Sequence, residues 1–287
     1  MKLIKQSFEI LEQKDYSLIG IKKFIERCGR VCYKSEDKIT DDSYEKFVNM
    51  LEKRDHARPL EFGTVHLKMP WKTFSNFVGF CVSKGFWDSC WIKYNIDRES
   101  EDKMVYITTN YRYYLALLNE APWLSKYLDN NNKFYPKRYT VHFITSRGIM
   151  DEFRTHVGLS HLAESSRYCS YDKNRFGNEL TFIIPNWVNT NCPNKEQEGL
   201  SVASIEWSTA MLDAEASYMN LIKMGCTAQE AREVLPLAVK SELISCGFED
   251  IWENFFYRRC AKDAHPMARE IATKVKDKFK ELGYVNQ

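Results

Sequence analysis

From Arg138 to Ser146 the chain reads RYTVHFITS, with Tyr139, Val141 and Phe143 alternating against Thr140, His142 and Ile144. That period of two is the pattern of a half-buried strand. It runs through Gly148 into a dense polar block, DEFRTHVGLSHLAESSRYCSY, from Asp151 to Tyr171. The charged and hydroxyl groups of this block cannot all enter a dry interior, where an unpartnered polar group costs several kcal/mol. The chain must therefore fold so that the end of a core strand either meets water or lines a site. There is material for a core, since 44% of the 287 residues are hydrophobic and 14% aromatic, which excludes a disordered protein. Lys and Arg total 41 against 39 Asp and Glu, so no global field draws the chain to nucleic acid or to an acidic membrane, and any anion site is local.

Other segments mark a mixed architecture. Asp41 to Arg54 carries Tyr44, Phe47, Val48 and Leu51 at helical spacing, with aspartates suited to the N-cap. Pro59 to Pro70 is rich in strand formers and is expected to be a strand with Val65, Leu67 and Met69 on one face. From Trp71 to about Lys137 the chain is aromatic-rich and reads as an insert: TFSNFVGFCVSK is helical, and MVYITTNYRYYLALLNE is a short strand entering a helix. LTFII, from Leu180, is a short strand closed by Pro185, and NWVNTNCPNKEQEG is a loop. A long helix then ends at Gly225, Thr227 and Glu230 form a capping box, and a last helix from about Pro266 aligns Met267, Ile271, Val275 and Phe279. Strands early and helices late predict an α+β fold: a mixed or antiparallel sheet flanked by helices, a helix-rich C-terminal third, and one domain over 1–287 with an insert at about 71–137.

Several common chemistries lack their signatures. The chain has no phosphate-loop, dinucleotide-fold, hydrolase-elbow or zinc-protease motif. Its nine cysteines are scattered without metal-type spacing, and no export signal or apolar span precedes or interrupts them, so free thiols and a cytoplasmic location are expected. What the chain does offer is arginine. Arg232 lies in AREVLP, and Arg258 and Arg259 lie in the aromatic stretch WENFFYRRC. Guanidinium suits bidentate recognition of phosphate or a ring carbonyl, so these residues with Arg167 and its neighbouring serines could form a phosphate-and-base pocket. Surface pairing with Glu233, Glu249 or Glu253 is the competing explanation.

The segments RVCYKSEDKIT, HARPLEFGTV, ITTNYR, FITSRGIMDEFRTHVGLSHLAESSRYCSY, NRFGNELTFI, GCTAQEAREVLP and WENFFYRRCAKDAHPMAREIA occur in this order. Together they resemble the flavin-dependent thymidylate synthases, which methylate deoxyuridine monophosphate (dUMP) with a bound FAD. The family hallmark R-H-R-x-x-S-x-N-E-x-S-x-R-Y begins at Thr155, and His156, Ser160, Ser165, Arg167 and Tyr168 match it. Thr155 and Val157 replace its two arginines, Leu162 and Ala163 replace its Asn and Glu, and Phe62 replaces the last histidine of an upstream H-x-x-x-x-E-H element kept as His56 and Glu61. Arg154 and Glu164 each stand one position from a lost group.

The resemblance implies that Ser165, Arg167 and Arg232 hold the nucleotide phosphate, that Glu152 also touches dUMP, and that Arg259 reads the uracil ring. His56, Glu61, His156, Asn254 and Arg154 are the implied FAD contacts. Also implied are methylenetetrahydrofolate as carbon donor, NADPH as reductant, reductive methylation at C5, and a homotetramer with shared sites. No cysteine nucleophile is needed. Arg259 and Ser165 are the residues expected to act on the ring, Arg259 by stabilising negative charge and Ser165 by hydrogen bonding. Two other readings remain: a relative that modifies the pyrimidine differently, for example by hydroxymethylation, and a catalytically silent nucleotide-binding subunit.

Overall fold

The computed structural model describes the chain except for residues 55, 89, 100–102, 166–170, 172–176, 189–201 and 286–287. Nine strands are described: β1 (Lys2–Ile4), β2 (Ser7–Leu11), β3 (Thr64–Pro70), β4 (Ile92–Ile96), β5 (Met104–Asn110), β6 (Arg138–Ser146), β7 (Ser160–Ala163), β8 (Thr181–Ile183) and β9 (Lys240–Phe248). The helices are α1 (Leu18–Tyr33), α2 (Ser43–Lys53), α3 (Trp71–Ser83), α4 (Tyr111–Glu120), α5 (Arg147–Arg154), α6 (Val202–Lys223), α7 (Ala228–Ala231), α8 (Glu249–Arg259) and α9 (Pro266–Glu281). The fold is α+β, with antiparallel sheets flanked by helices.

The main sheet is antiparallel in the order β2-β6-β9-β7. On one face Val141, Phe143 and Leu243 pack against Phe153 of α5, Trp252, Phe255 and Phe256 of α8, and Ile271, Val275 and Phe279 of α9. On the other, Leu11, Leu162, Ile244 and Cys246 meet Phe24, Cys28 and Val31 of α1. β6 spans the residues that its alternation predicts. Its central partner β9 does not show in the sequence, because eight of its nine residues are buried and its two faces are covered alike, which erases the alternation. The C-terminal third is thus helix-rich but contributes a strand to the centre of the sheet.

A second antiparallel sheet, β3-β5-β4, carries its own core of Val65, Leu67, Met69, Val105 and Ile107 against Phe74, Phe77, Tyr114 and Leu117 of α3 and α4. It uses most of the 71–137 stretch, yet its edge strand β3 precedes that stretch. The expected strand over Pro59 to Pro70 is shorter than its composition suggests. Arg58–Phe62 form a 3-10 turn, which Pro59 favours by fixing φ and withholding an N–H from any ladder. β1 and β8 make a small parallel pair covered by Tyr218 and Met211 of α6.

Helix ends follow the sequence in part. Thr227 and Glu230 form their capping box, Glu230 Oε2 accepting from the Thr227 N–H at 2.7 Å. Gly225 takes φ 94°, a left-handed conformation that suits glycine. Asp42 occupies the N-cap of α2 without bonding a helix N–H; its Oδ1 accepts from the Thr40 hydroxyl at 2.8 Å instead. The loop from Asn186 lies largely outside the described residues.

His66 of β3 is sandwiched between Tyr16 and Tyr135, with ring centroids 4.3 and 4.0 Å away, and its Nδ1 lies 2.7 Å from the Asn131 carbonyl. Burial depresses its pKa from 6.5 to about 4, so the folded ring stays neutral where the unfolded one takes a proton. Its contribution to stability is complete above pH 6.5 and is lost as pH falls toward 4. Thermal midpoints measured across that window are expected to fall with pH in the wild type and to fall less steeply in His66→Gln; equal slopes would exclude His66 as a cause.

Candidate functional site

Register places alternate residues of β9 on the α1 face, so Lys240 and Glu242 share that face with Ile244 and Cys246. Their side chains are nearly buried and form an ion network. Lys240 Nζ lies 2.9 Å from Glu164 Oε2 and 2.6 Å from Glu242 Oε1. Glu242 also pairs with Lys34 and, at 2.9 Å, with His142 Nε2. Burial opposes ionisation of Glu242, but the His142 hydrogen bond and the Lys240 and Lys34 charges prevail and hold its carboxyl well below the usual range. Burial likewise opposes the Lys240 ammonium, and the two carboxylates overcome it and raise its pKa. Lys34 reaches the network from the C-cap of α1 with φ 48°, a costly conformation for a residue with a Cβ.

This network floors a cleft of about 270 Å³ at the start of β9, bounded by Arg147 and Asp151 of α5, Glu164, Tyr171 and Arg232. Side-chain exposure grades across the cleft: Arg147 and Arg232 are 30% and 35% exposed at the rim, whereas Glu164 at the floor is 1% exposed. A second cleft, of about 440 Å³, shares Tyr171 and Lys240 with the first and adds Lys2 and Lys34. Mixed positive rims with a buried acceptor below suit a ligand that brings an anion and a hydrogen-bond donor.

The other expected residues fall into two further groups. On the α8 face, Arg259 is fastened to α5, its guanidinium donating to the Glu152 carbonyl at 2.5 Å and the Thr155 hydroxyl at 3.2 Å, with Glu152 Oε2 at 3.5 Å. Its Nε is buried without a partner among the described residues, as is His156 Nε2. His156 is packed edge-on to Phe255, and burial, reinforced by the Arg259 and Arg258 charges, lowers its pKa. Asn254 is exposed on α8 and accepts from Arg258 Nε at 3.2 Å. Arg154 is 46% exposed and lies 3.3 Å from Asp151.

Between these regions Glu61 is buried at 1% exposure, and Ser160 Oγ donates to its Oε2 at 2.7 Å, joining two segments 99 residues apart. Arg112 Nη1 lies 2.6 Å from Oε1 and Arg58 Nη1 3.4 Å from Oε2. Glu61 is therefore an anchor for two exposed arginines rather than an open carboxylate. His56 is exposed, its Nδ1 3.4 Å from the Tyr33 hydroxyl.

Several expectations meet here. Arg232 and Glu164, next to the hallmark Ser165, are brought to one cleft, while Ser165 is half-buried and its N–H donates to the Cys32 carbonyl at 3.2 Å. Arg232 also makes the surface pair with Glu233, at 3.2 Å. Arg259 and Glu152 do not line that cleft. Arg167 and Tyr168 lie outside the described residues. Sequence reasoning missed Arg147, Lys240, Lys34, Arg58 and Arg112. Lys240 was hidden with its strand; the acidic-basic pair Lys240 and Glu242, two apart before an apolar run, was the available signal.

The α+β fold carries, at the start of β9, a cleft whose lining sets Arg147, Arg232 and Lys240 beside Asp151, Glu164 and Glu233. The family model for thymidylate synthase complementing protein matches residues 134–282, just over half of the chain, and the chain belongs to this family of flavin-dependent thymidylate synthases. No curated protein matches the sequence. Among the described residues, no helix is long and apolar enough to cross a membrane.

Proposed function

We propose that the chain is a cytoplasmic thymidylate synthase that converts dUMP to dTMP, with methylenetetrahydrofolate as carbon donor, FAD as redox cofactor and NADPH as reductant. The observation that carries this reading is the cleft in which Arg147 and Arg232 stand over Glu164, directly beside the hallmark Ser165. Arg232, Arg147 and Arg167 hold the phosphate, and Ser165 hydrogen-bonds it. Arg259 stabilises negative charge on the uracil carbonyls as C5 becomes nucleophilic, held in place by Glu152 and Thr155. Arg259 and Arg232 do not share a cleft within one subunit, and the resemblance implies a homotetramer in which different copies supply them.

The residues expected to hold FAD fit such a group. A buried His156 Nε2 lacks a partner among the described residues, and Arg58, Arg112 and Arg154 are 59%, 52% and 46% exposed. These cations stand in for the arginines replaced by Thr155 and Val157, with Glu61 orienting two of them and His156, His56 and Asn254 adding polar contacts. FAD would supply the reducing equivalents for the methyl group. The test is the absorption spectrum of the purified protein with FAD, followed by titration with dUMP. Flavin bands that shift on nucleotide addition are expected; nucleotide binding without flavin binding would favour a silent nucleotide-binding subunit, and a product other than dTMP would favour a different C5 modification.

A further inference from the structure

β2 pairs with β6 only as far as Leu11 and Thr140. Beyond that point the chain leaves the sheet, and a cleft of about 810 Å³ opens between residues 10–16, the start of β6 and the segment after α9. Thr64 and Asn132 close it from the side of the second sheet. Its size falls within the roughly 300–1,000 Å³ of small-molecule sites, and every residue lining it is described. Register sets it apart from the cleft at the start of β9: Arg138 lies opposite Phe248, at the far end of the strand pair from Ser146 and Lys240.

Lys137 and Arg138 are half-buried, and neither meets a carboxylate among the described residues. Lys137 donates to the Asn132 carbonyl, and Arg138 to the Thr64 hydroxyl at 3.1 Å and the Glu61 carbonyl at 2.8 Å. Burial lowers the Lys137 pKa, the mark of an ammonium short of both solvent and counter-charge. Adjacent, partly desolvated cations are costly, and an anion held beside them offsets that cost. With Lys14, three cations line the cleft against two acids, Glu12 and Glu249, so the net charge of +1 balances a monoanion rather than a phosphate dianion. The rest of the lining is rich in rings: Tyr16, which stacks on His66 at 4.3 Å, Phe24, and Tyr139, which stacks on Tyr284 at 4.2 Å. Burial raises the pKa of Tyr16 and Tyr139, and burial with the Glu12 hydrogen bond raises that of Tyr284 to about 12, so all three phenols keep their protons at neutral pH. We propose that this cleft is a second small-molecule site that takes an aromatic monocarboxylate, its charge held by Lys137 and Arg138 and its ring packed among the tyrosines. No bond is made or broken there.

The probe is 2-naphthoate, titrated into the full chain by calorimetry beside its neutral amide and inorganic phosphate. The carboxylate is expected to bind at least about tenfold tighter than the amide, the ratio set by one charge-assisted hydrogen bond. Lys137→Gln should weaken 2-naphthoate by at least about tenfold, with the melting temperature as a control for folding. Saturating dUMP should leave the probe in place, because the two clefts lie at opposite ends of β6 and β9. No binding of 2-naphthoate, equal binding of the amide, tighter binding of phosphate, or displacement by dUMP each overturns the assignment, as does wild-type affinity in Lys137→Gln. Failure on any of these leaves the nucleotide reading standing, since the two sites share no residue. Should the variant fold poorly, wild type photolabelled with 4-benzoylbenzoate decides the matter by peptide mass spectrometry. Attachment within residues 10–16, 137–140 or 282–284 is expected, and attachment confined elsewhere overturns the assignment.

Discussion

Replacing Lys240 by methionine is expected to cost about 3–5 kcal/mol of folding stability, because removal of the ammonium strands the Glu164 carboxylate as an uncompensated buried charge, while Glu242 keeps Lys34 and His142. The side chains of Glu164 and Glu242 are 1% and 9% exposed, so water cannot substitute for the lost ammonium. Methionine conserves most of the volume, which separates the electrostatic effect from that of a cavity. Urea denaturation at neutral pH measures it. The loss should be partly recovered in Lys240→Met combined with Glu164→Gln, since the second change removes a stranded charge. A cost under about 1 kcal/mol would mean that the network behaves as an exposed ion pair. The same geometry has an acid limb: the depressed Glu242 carboxyl contributes stability that is full above its ordinary pKa of 4.5 and is lost as pH falls through its lower folded value.

Arg232→Ala is expected to weaken dUMP binding by about 10- to 150-fold, the equivalent of the roughly 1.5–3 kcal/mol of a charge-assisted hydrogen bond. Deoxyribose 5-phosphate should lose affinity by a similar factor, since the contact is to phosphate and not to the base. Both are read by calorimetric titration, with the melting temperature as a control for folding. Unchanged affinity for both would remove Arg232 from the phosphate site and leave its surface pair with Glu233 as its role.

Much of the fold was legible where one face of an element is apolar and the other polar. β6 alternates because α9 packs on one of its faces while His142 and Thr140 occupy the other, and α9 shows its stripe because Met267, Ile271, Val275 and Phe279 all turn inward. The same logic hid β9, covered on both faces, and mistook the proline-bounded 58–62 turn for the start of β3. The family was legible as text, in the hallmark from Thr155 and the motifs around Arg232 and Arg259. Their grouping was not legible. Guanidinium chemistry suggested one pocket for Arg232, Arg258 and Arg259 with Arg167, but α8 points Arg259 at Glu152 on the opposite face of the sheet from Lys240.

By itself the amino-acid order determined the α+β class, the extents of α2 and β6, the start of α9, and the polar block that follows β6, because each depends on local periodicity or on a motif contained in one segment. Tertiary structure alone decided that Ser160 bonds a glutamate 99 residues away, that Arg112 of α4 meets the same carboxylate, and that Lys34, Glu164 and Lys240 close one network. Those pairings depend on strand register and on which helix end meets which sheet face. Both are set by the packing of the whole core rather than by any single stretch of chain.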